Sequence, residues 1–376
     1  MAARLPFWGL NTRKLPDKLG RMTHALNWPS ILGKLLAKSD LDRAEAAWAM
    51  TEIMSGDAAE AQIGAFMMAL RSKGESVDEL AGLVDVMLEH SVLLNTGNDA
   101  VDIVGTGGDL AGTVNVSSMS AVLCSAAGVP VMKHGSRSAS GKTGSSEMLE
   151  VLGIRLDLSP ERVADVFREI GLTFFFAPVF HPAMRHVAPV RKALGVPTTF
   201  NFLGPLANPA QPIATSLGVA NRAVAPLMAA EVAARGRSAL VFRGSDGLDE
   251  LTTTGISEIW QVSGGEVREF VLDPTNLGLA KANSADLAGG DAQHNAKVAR
   301  IVLGADNWDA ALQPARDIVR LNAAGGIVAY RLAKDATQTD LDIHERFSAA
   351  LAQVDAAIAA GEPAQKLSAW ITATQA

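Results

Sequence analysis

The sequence predicts an α/β fold, with a small all-helical N-terminal domain and a larger α/β domain built on a mostly parallel central sheet. Helical periodicity over residues 28–94, without a strand pattern, indicates the first domain. Short apolar strands that alternate with helices after residue 99 indicate the second. Two loops rich in Gly and Ser, each between a strand and a helix, fit the same alternating pattern and are suited to bind phosphate.

The expected organisation has three parts. Residues 1–25 are basic and lack an apolar stretch of signal-peptide length, so we expect a flexible extension. Residues 26–98 are expected to form the helical domain. Residues 99–376 are expected to form the α/β domain, with a helical segment near 182–204 packing on the helical domain.

Capping residues predict where the helices of the first domain begin and end. One helix starts at Trp28-Pro29-Ser30, and Asp40 or Asp42 is suited to cap a second that Gly56 ends. Two more are expected over 58–72 and 77–90. Their apolar faces exceed what a short bundle can bury on itself, so we expect them to pack on the other domain and on a second subunit.

The second domain is expected to alternate strands and helices. The expected strands are 101–104, 129–132, 173–177, 215–219, 238–243 and the hairpin 259–262 with 267–272. Ser145 or Ser146 is expected to cap a helix over 147–152, and Ser159-Pro160 to start one that Gly171 ends. The other expected helices are 182–194, 224–235, 291–303, 310–324, 340–360 and 363–374, and a loop-rich return is expected over 197–208.

Composition narrows the class of function. The chain has 376 residues, 48% of them hydrophobic, and a net charge of −7. This balance gives no overall attraction for nucleic acid or an anionic membrane, and no apolar run is long enough to span a bilayer. Cys124 is the only cysteine, so no intrachain disulfide can form, which fits a cytoplasmic location.

Two loops have the composition of phosphate sites. The first is Gly105-Thr106-Gly107-Gly108-Asp109, followed by Asn115, Ser117 and Ser118 where a helix would begin. The second, residues 133–146, adds Lys133, Arg137 and Lys142 to several hydroxyl groups. Either loop alone could be an ordinary turn. Together they predict a ligand that carries two separate phosphate groups.

Asp249 and Glu250 are the candidate metal ligands. Adjacent carboxylates in a Gly-containing loop after a strand suit Mg²⁺ that is also bound by water and phosphate oxygens. The alternative is a solvated turn. His134 is either a hydrogen-bonded structural residue or one that orients an acceptor. His181 and Arg191 lie ten residues apart, so on one continuous helix they would share a face.

These motifs together resemble the anthranilate phosphoribosyltransferase family. The resemblance rests on Gly-Thr-Gly-Gly-Asp, Asn-Val-Ser-Ser and Lys-His-Gly-x-Arg, then on the runs 181–191, 201–209 and 246–251. It continues through Gly289-Gly290-Asp291-Ala292 and Leu321-Asn322-Ala323-Ala324, and so covers most of the chain in order. The family implies a magnesium-dependent glycosyltransferase of tryptophan (aromatic amino acid) biosynthesis that forms homodimers through its helical domain.

The resemblance also implies the site residues. Phosphoribosyl pyrophosphate (PRPP) would be bound by Gly105, Gly107, Gly108, Asp109, Thr113, Asn115, Val116, Ser117, Ser118, Lys133, His134, Gly135, Arg137, Ser140, Gly141 and Ser145. Anthranilate would be bound by Gly105, Ser136, His181 and Arg191, and the metal by Ser117, Asp249 and Glu250. The family implies that Arg191 pairs with the anthranilate carboxylate. No side chain is assigned as acid or base, apart from a possible role for His134.

One departure from the family concerns the acceptor. Ser136 stands where the family usually has Asn, which bears on the acceptor contact and leaves the phosphate site unaffected. Two alternative functions are considered. A pyrimidine-nucleoside phosphorylase shares the plan of a helical domain with an α/β domain. The other is a non-catalytic, nucleic-acid-binding relative of the family. The matches at Arg191 and at Asp249-Glu250 speak against the first, and the acidic charge speaks against the second.

Overall fold

The computed structural model describes residues 26–94, 96–137 and 144–376, so the extension expected at 1–25 lies outside it. Four helices come first: α1 Trp28–Leu36, α2 Arg43–Ser55, α3 Glu60–Lys73 and α4 Val77–Glu89. Local signals account for α2. The Asp42 carboxylate accepts the Glu45 N–H in a capping box, and Gly56 ends the helix in the left-handed conformation.

A seven-stranded sheet follows in the described residues. Its strands are β1 Val101–Gly105, β2 Val131–Gly135, β3 Leu172–Phe176, β4 Ala214–Gly218, β5 Ser238–Gly244, β6 Ser257–Ser263 and β7 Glu266–Leu272, and their spatial order is β3-β2-β1-β4-β5-β6-β7. The first five are parallel, whereas β6 and β7 are antiparallel. The predicted fold class is confirmed.

The remaining α-helices alternate with these strands and then close the chain. They are α5 Val116–Ala126, α6 Ser145–Val151, α7 Pro160–Ile170, α8 Ala177–Phe180, α9 Ala188–Leu194, α10 Phe200–Leu203, α11 Ala225–Ala234, α12 Ala292–Val302, α13 Gln313–Lys334, α14 Ile343–Ala359 and α15 Glu362–Gln375. Short 3₁₀ helices include Pro182–His186 and Gly204–Leu206.

The sheet divides the core into two. Successive side chains of a strand point to opposite faces, so Ile103 packs on one side and Val104 on the other. The Ile103 side is covered by helices that include α5, α13 and α14, and the Val104 side by α11 together with the helical unit α1–α4. The helical unit therefore shares a continuous apolar core with one face of the sheet.

Polar contacts also join the helical unit to the rest of the chain. The Thr199 hydroxyl donates to a buried Glu75 oxygen at 2.6 Å, and the Arg235 guanidinium reaches Asp85 at 2.9 Å. Helix α9 packs on α3, and the 3₁₀ helix Pro182–His186 packs on α2. No helix in the described ranges has the length and apolarity that a bilayer crossing requires.

Two expected elements are displaced. β2 was expected at 129–132 but runs over Val131–Gly135, because its residues pair in register with β3 from Val131 opposite Leu172 to Gly135 opposite Phe176. Lys133 and His134 therefore belong to the sheet. The N-cap of α6 is Gly144, one residue before the expected Ser145, since the Glu147 side chain caps the Gly144 N–H.

The expected helix 182–194 is wrong. A 3₁₀ helix covers Pro182–His186, and α9 begins only at Ala188. Pro182 and Pro189 have no N–H to donate, so each suits a first turn, and the chain starts two helices. His181 has non-helical φ −123° and ψ 63°, so it does not share a helix with Arg191.

The prediction that one helix ends at residue 324 is wrong: α13 continues to Lys334. Gly325 and Gly326 do not end it. They sit where side chains of the sheet and of a loop come close to the helix backbone: a Cβ on Gly326 would lie 2.7 Å from Ile103 Cδ1. The two glycines permit close packing within a continuous helix.

Candidate active site

The candidate site lies at the carboxyl edge of the parallel strands, where the order of the sheet changes direction. β1 has β2 on one side and β4 on the other, and such switch points leave a crevice beyond the strand ends. The loops that follow β1, β2 and β5 all open on this edge. The Gly-rich loop and the acidic loop predicted from sequence therefore meet, and the described start of the polar loop leaves β2 at the same edge.

The Gly-rich loop leads into the N-terminus of α5. Gly107 and Gly108 have φ of +66° and +88°, which residues with side chains rarely adopt. Thr113 bridges to Ala288, and Asn115 is the N-cap residue of α5. The Val116 and Ser118 side chains are buried. The Val116 N–H donates to the Val114 carbonyl at 2.7 Å, so of these two positions only the Ser118 backbone N–H, in the first turn, is placed to meet an anion.

Asp249 is held beneath this loop. Its carboxylate accepts the Gly107 N–H at 2.6 Å, across 142 residues of sequence. A Cβ on Gly105 would overlap the Asp249 carboxylate, and one on Gly218 would overlap its carbonyl. Burial, and next the charge of Asp109, raise the Asp249 pKa to about 7. Glycines at the ends of β1 and β4 thus make room for this side chain.

Glu250 completes an acidic cluster. Its pKa lies well above the usual range, first because of burial and second because of the Asp249 charge. The Ser117 N–H donates to its carboxylate and partly offsets this. Asp109 therefore lies close enough to Asp249 and Glu250 for its charge to raise the pKa of both, near the N-terminus of α5.

Lys133 is the cation inside the cluster. Its Nζ donates to the Ile103 carbonyl at 2.5 Å and to Ser117 Oγ at 3.2 Å, and the side chain is buried. Burial lowers its pKa, whereas the charges of Asp102, Glu250 and Asp249 act in the opposite direction. The Lys133 amine thus lies among several carboxyl groups, and its hydrogen bond orients the Ser117 hydroxyl.

Two histidines meet on the other side of β2. The rings of His134 and His181 have centroids 5.1 Å apart. His134 Nδ1 lies 3.1 Å from the Gly204 carbonyl, and its backbone N–H donates to Asp102. Burial lowers the pKa of His134 to about 3 and that of His181 to about 4, so both rings are neutral at pH 7.

Arg191 is a partly buried cation on α9. Within the described part of the chain, its guanidinium has no carboxylate or carbonyl partner. Burial alone lowers its pKa. A desolvated guanidinium that lacks a carboxylate is costly, so its environment favours binding an anionic ligand.

The polar loop after β2 is described only in part. Ser136 is exposed, and its carbonyl accepts the Ser146 hydroxyl at 3.2 Å. Gly135 ends β2 close to Ser145 Oγ. Arg137 forms a bidentate pair with Glu150, at 3.0 and 2.8 Å, so its guanidinium already has a partner. Ser140 and Gly141 lie outside the described residues.

Several supporting residues were missed as site residues. The buried Asp102 carboxylate accepts from His134 N–H and from Asn208 Nδ2 at 2.8 Å, and burial raises its pKa to about 6. Asn295 Nδ2 donates to Asn115 Oδ1 at 2.9 Å. A carboxylate inside an apolar strand was a visible signal for Asp102, whereas nothing in the sequence indicated the partner of Asn295.

The acidic cluster has the chemistry of a Mg²⁺ site. In the described ranges, no three Asp, Glu, His or Cys side chains group closely enough to hold a metal by themselves. Mg²⁺ commonly binds through one or two carboxylates, with water and substrate phosphates filling the other positions. Asp249 and Glu250, with their raised pKa values, fit that pattern.

Family models cover both parts of the chain. A "Glycosyl transferase family, helical bundle domain" matches residues 29–91, and a "Glycosyl transferase family, a/b domain" matches residues 97–362. Together with the crevice at the switch point, these matches define the class: a glycosyl transferase with a helical bundle and an α/β domain.

Curated and solved relatives narrow the class. An anthranilate phosphoribosyltransferase of Leifsonia xyli is 51% identical over 94% of this chain and 100% of its own length. A crystal structure of the enzyme of that name from Thermus thermophilus has a TM-score of 0.82 at 36% identity and covers 92% of this chain and 99% of its own. One from Saccharomyces cerevisiae, in complex with PRPP and Mg, has 0.81 at 26% identity, covering 93% and 98%. The chain belongs to the anthranilate phosphoribosyltransferase family.

Proposed function

We propose that this protein transfers the phosphoribosyl group of PRPP to the amine of anthranilate, which gives N-(5-phosphoribosyl)anthranilate and pyrophosphate. The observation that carries the proposal is the convergence at one sheet edge of the Gly-rich loop, the α5 N-terminus and the acidic pair Asp249-Glu250. PRPP has a 5-phosphate and a pyrophosphate, and this edge combines anion-binding loops with carboxylates suited to a metal.

The donor residues expected from the sequence are proposed here, with a different role for Lys133. Backbone N–H groups of the Gly-rich loop and of the first turn of α5 would bind one phosphate group of PRPP, together with the Ser117 and Asn115 side chains. The Gly107 and Ser117 N–H groups are excepted, because they donate to Asp249 and Glu250. The loop 133–145 would bind the other. Lys133 is buried beneath the acidic pair, so we assign it to orienting Ser117 and balancing charge. Arg137 would have to leave Glu150 to reach a phosphate.

Mg²⁺ would be held by Asp249, Glu250 and Ser117. When bound, it supplies positive charge that neutralises the departing pyrophosphate. Asp249 is oriented for this role by the Gly107 N–H and Glu250 by the Ser117 N–H. Lys133 keeps the pair from excessive repulsion before ligands arrive.

The chemistry needs little covalent help from the protein. The bond from the anomeric carbon to pyrophosphate breaks with its electron pair on the leaving oxygen, the anthranilate nitrogen bonds to that carbon, and the amine passes one proton to solvent water. Positive charge develops on the ribose as the bond breaks. His134 and His181 remain neutral near pH 7, so they can line the site without repelling that charge.

The acceptor would be held by its carboxylate. A guanidinium offers a planar, bidentate match to a carboxylate, and the partly buried Arg191 has no carboxylate partner among the residues that the structure describes. Gly105, Ser136 and His181 are proposed to line the same pocket. The serine hydroxyl at 136 offers less than the amide usual in the family, so the acceptor contact there should be weaker.

The wider context is also part of the proposal. The protein would act in the cytoplasm, in tryptophan biosynthesis, as a homodimer joined through the helical unit. Its domains would be 26–98 and 99–376, preceded by an extension over 1–25. Support for this division comes from the two family models, which meet between residues 91 and 97.

One assay separates the candidate functions. Loss of anthranilate fluorescence that requires both PRPP and Mg²⁺ is the expected result. Phosphorolysis of thymidine or uridine, without any consumption of anthranilate, would instead favour a nucleoside phosphorylase. Salt-dependent DNA binding with no transferase activity would favour the nucleic-acid-binding alternative.

A further inference from the structure

Asn322, on α13, hydrogen-bonds the backbone of Leu251, the residue that follows the acidic pair Asp249-Glu250. Its Oδ1 accepts the Leu251 N–H at 2.9 Å, and its Nδ2 donates to the Leu251 carbonyl at 2.8 Å. The same Nδ2 donates to the Ile318 carbonyl of its own helix at 2.9 Å. The Asn322 side chain is 1% exposed. Both backbone groups of Leu251 are therefore bonded to a single amide.

The contact between Asn322 and Leu251 lies in a segment outside the regular strands. Leu251 lies in the segment between β5 and β6, and within the described ranges its backbone groups have no strand partner. A buried, unpaired backbone group is costly, so the segment needs an outside partner. The carboxamide of Asn carries a donor and an acceptor on two separate atoms, so it can bond both backbone groups of one residue, and α13 supplies it from 71 residues away.

The same face of α13 also packs against the Leu251 side chain. Gly325 lies three residues after Asn322, which puts the two on one face of α13. A Cβ on Gly325 would lie 2.8 Å from Leu251 Cδ1. Helix α13 thus hydrogen-bonds the Leu251 backbone through Asn322. The Leu251 side chain packs against the helix at Gly325, where a larger residue would clash.

We propose that Asn322 is a positioning residue for the metal site, because it fixes the segment from which Asp249 and Glu250 reach the Gly-rich loop. The inference rests on the proposed role of those carboxylates. Asn322 would touch neither substrate nor metal. Its part is to keep Glu250, the residue directly before Leu251, within reach of the Ser117 N–H.

The test is Asn322→Ala, with Ser120→Ala as the matched control. Ser120 Oγ donates to the Val319 carbonyl of α13 at 2.9 Å in an equally buried position, but it does not touch the acidic segment. Each variant loses buried hydrogen bonds that involve α13. Three quantities are measured for each: the Mg²⁺ activation constant, Mn²⁺ binding in the presence of pyrophosphate by electron paramagnetic resonance, and the melting temperature.

Asn322→Ala should raise the Mg²⁺ activation constant and the Mn²⁺ dissociation constant roughly tenfold, since freed carboxylates must be ordered again by the metal. Saturating Mg²⁺ should recover most of kcat, and the KM for anthranilate should stay unchanged. Ser120→Ala should lower the melting temperature only. An unchanged Mg²⁺ constant in Asn322→Ala, or an equal change in Ser120→Ala, would overturn the proposal.

Two further variants keep the result interpretable. If Asn322→Ala does not fold, Gly325→Ala decides, because its Cβ would meet Leu251 Cδ1 and move the Leu251 backbone away from the Asn322 amide: a raised Mg²⁺ constant supports the proposal and an unchanged one refutes it. Glu250→Ala tests the carboxylates directly. If Glu250→Ala leaves metal dependence unaltered, the metal assignment itself fails. If Glu250→Ala changes it and Asn322→Ala does not, only the positioning role fails.

Discussion

Replacing Arg191 by Ala tests the proposed acceptor site most directly. The guanidinium is partly buried and, among the described residues, pairs with no carboxylate. Its removal should therefore cost the fold little. If the anthranilate carboxylate is its partner, the variant loses a charge-assisted contact, which is worth about 1.5–3 kcal/mol. That corresponds to a loss of roughly one to two orders of magnitude in kcat/KM for anthranilate.

The assay follows anthranilate fluorescence under steady-state conditions, with each substrate varied in turn and a melting curve for every variant. Lys192→Ala is the matched control, because it removes one positive charge from the neighbouring, exposed position of the same helix. Arg191→Lys keeps the charge but not the planar fork, so it should lie between Arg191→Ala and the unmodified protein.

The expected pattern is specific to the acceptor: a higher KM or lower kcat/KM for anthranilate, an unchanged PRPP dependence and an unchanged melting temperature. Unchanged anthranilate kinetics in Arg191→Ala would remove this residue from the site. A lower melting temperature with equal damage to both substrates would instead assign it a structural role. Loss of the same size in Lys192→Ala would point to general electrostatics at α9.

Three more predictions follow from the site. Glu250→Ala should reduce turnover strongly at limiting Mg²⁺ while leaving the melting temperature nearly unchanged, because it removes one of two carboxylate anchors; normal turnover there would refute the metal assignment. His134 and His181, with pKa about 3 and about 4 when folded, should each remove stability as pH drops below about 6.5, because the unfolded chain protonates its histidines there. The raised pKa values of Asp102, Asp249 and Glu250 act in the opposite direction, so the contribution of one histidine is read as a difference between variants. In urea titrations at several pH values, His134→Asn should gain stability relative to the unmodified protein by up to about 1.4 kcal/mol per pH unit below pH 6.5, and a constant difference would contradict the depressed pKa of His134. Ser136→Asn should lower the KM for anthranilate a few-fold, since an amide adds a hydrogen-bonding group; a higher KM would contradict that reasoning.

Local signals in the sequence were sufficient for much of the fold. Asp42 and Gly56 bound α2, and Ser159-Pro160 and Gly171 bound α7, as expected. Caps and left-handed glycines act over a few residues, so their effect can be read without knowing the tertiary structure. The Gly-rich loop and the acidic pair were also visible, because their chemistry is carried by adjacent residues.

Tertiary structure decided how those parts combine. The sequence did not show that Lys133 is buried under the acidic pair, that His134 meets His181, or that His181 lies outside the helix of Arg191. It also did not reveal the amide of Asn322 on Leu251. Each of these depends on desolvation and hydrogen bonding between segments that are distant in sequence. Only the packed sheet and helices determine which buried polar groups become neighbours, and that pairing sets the charge and geometry of the site.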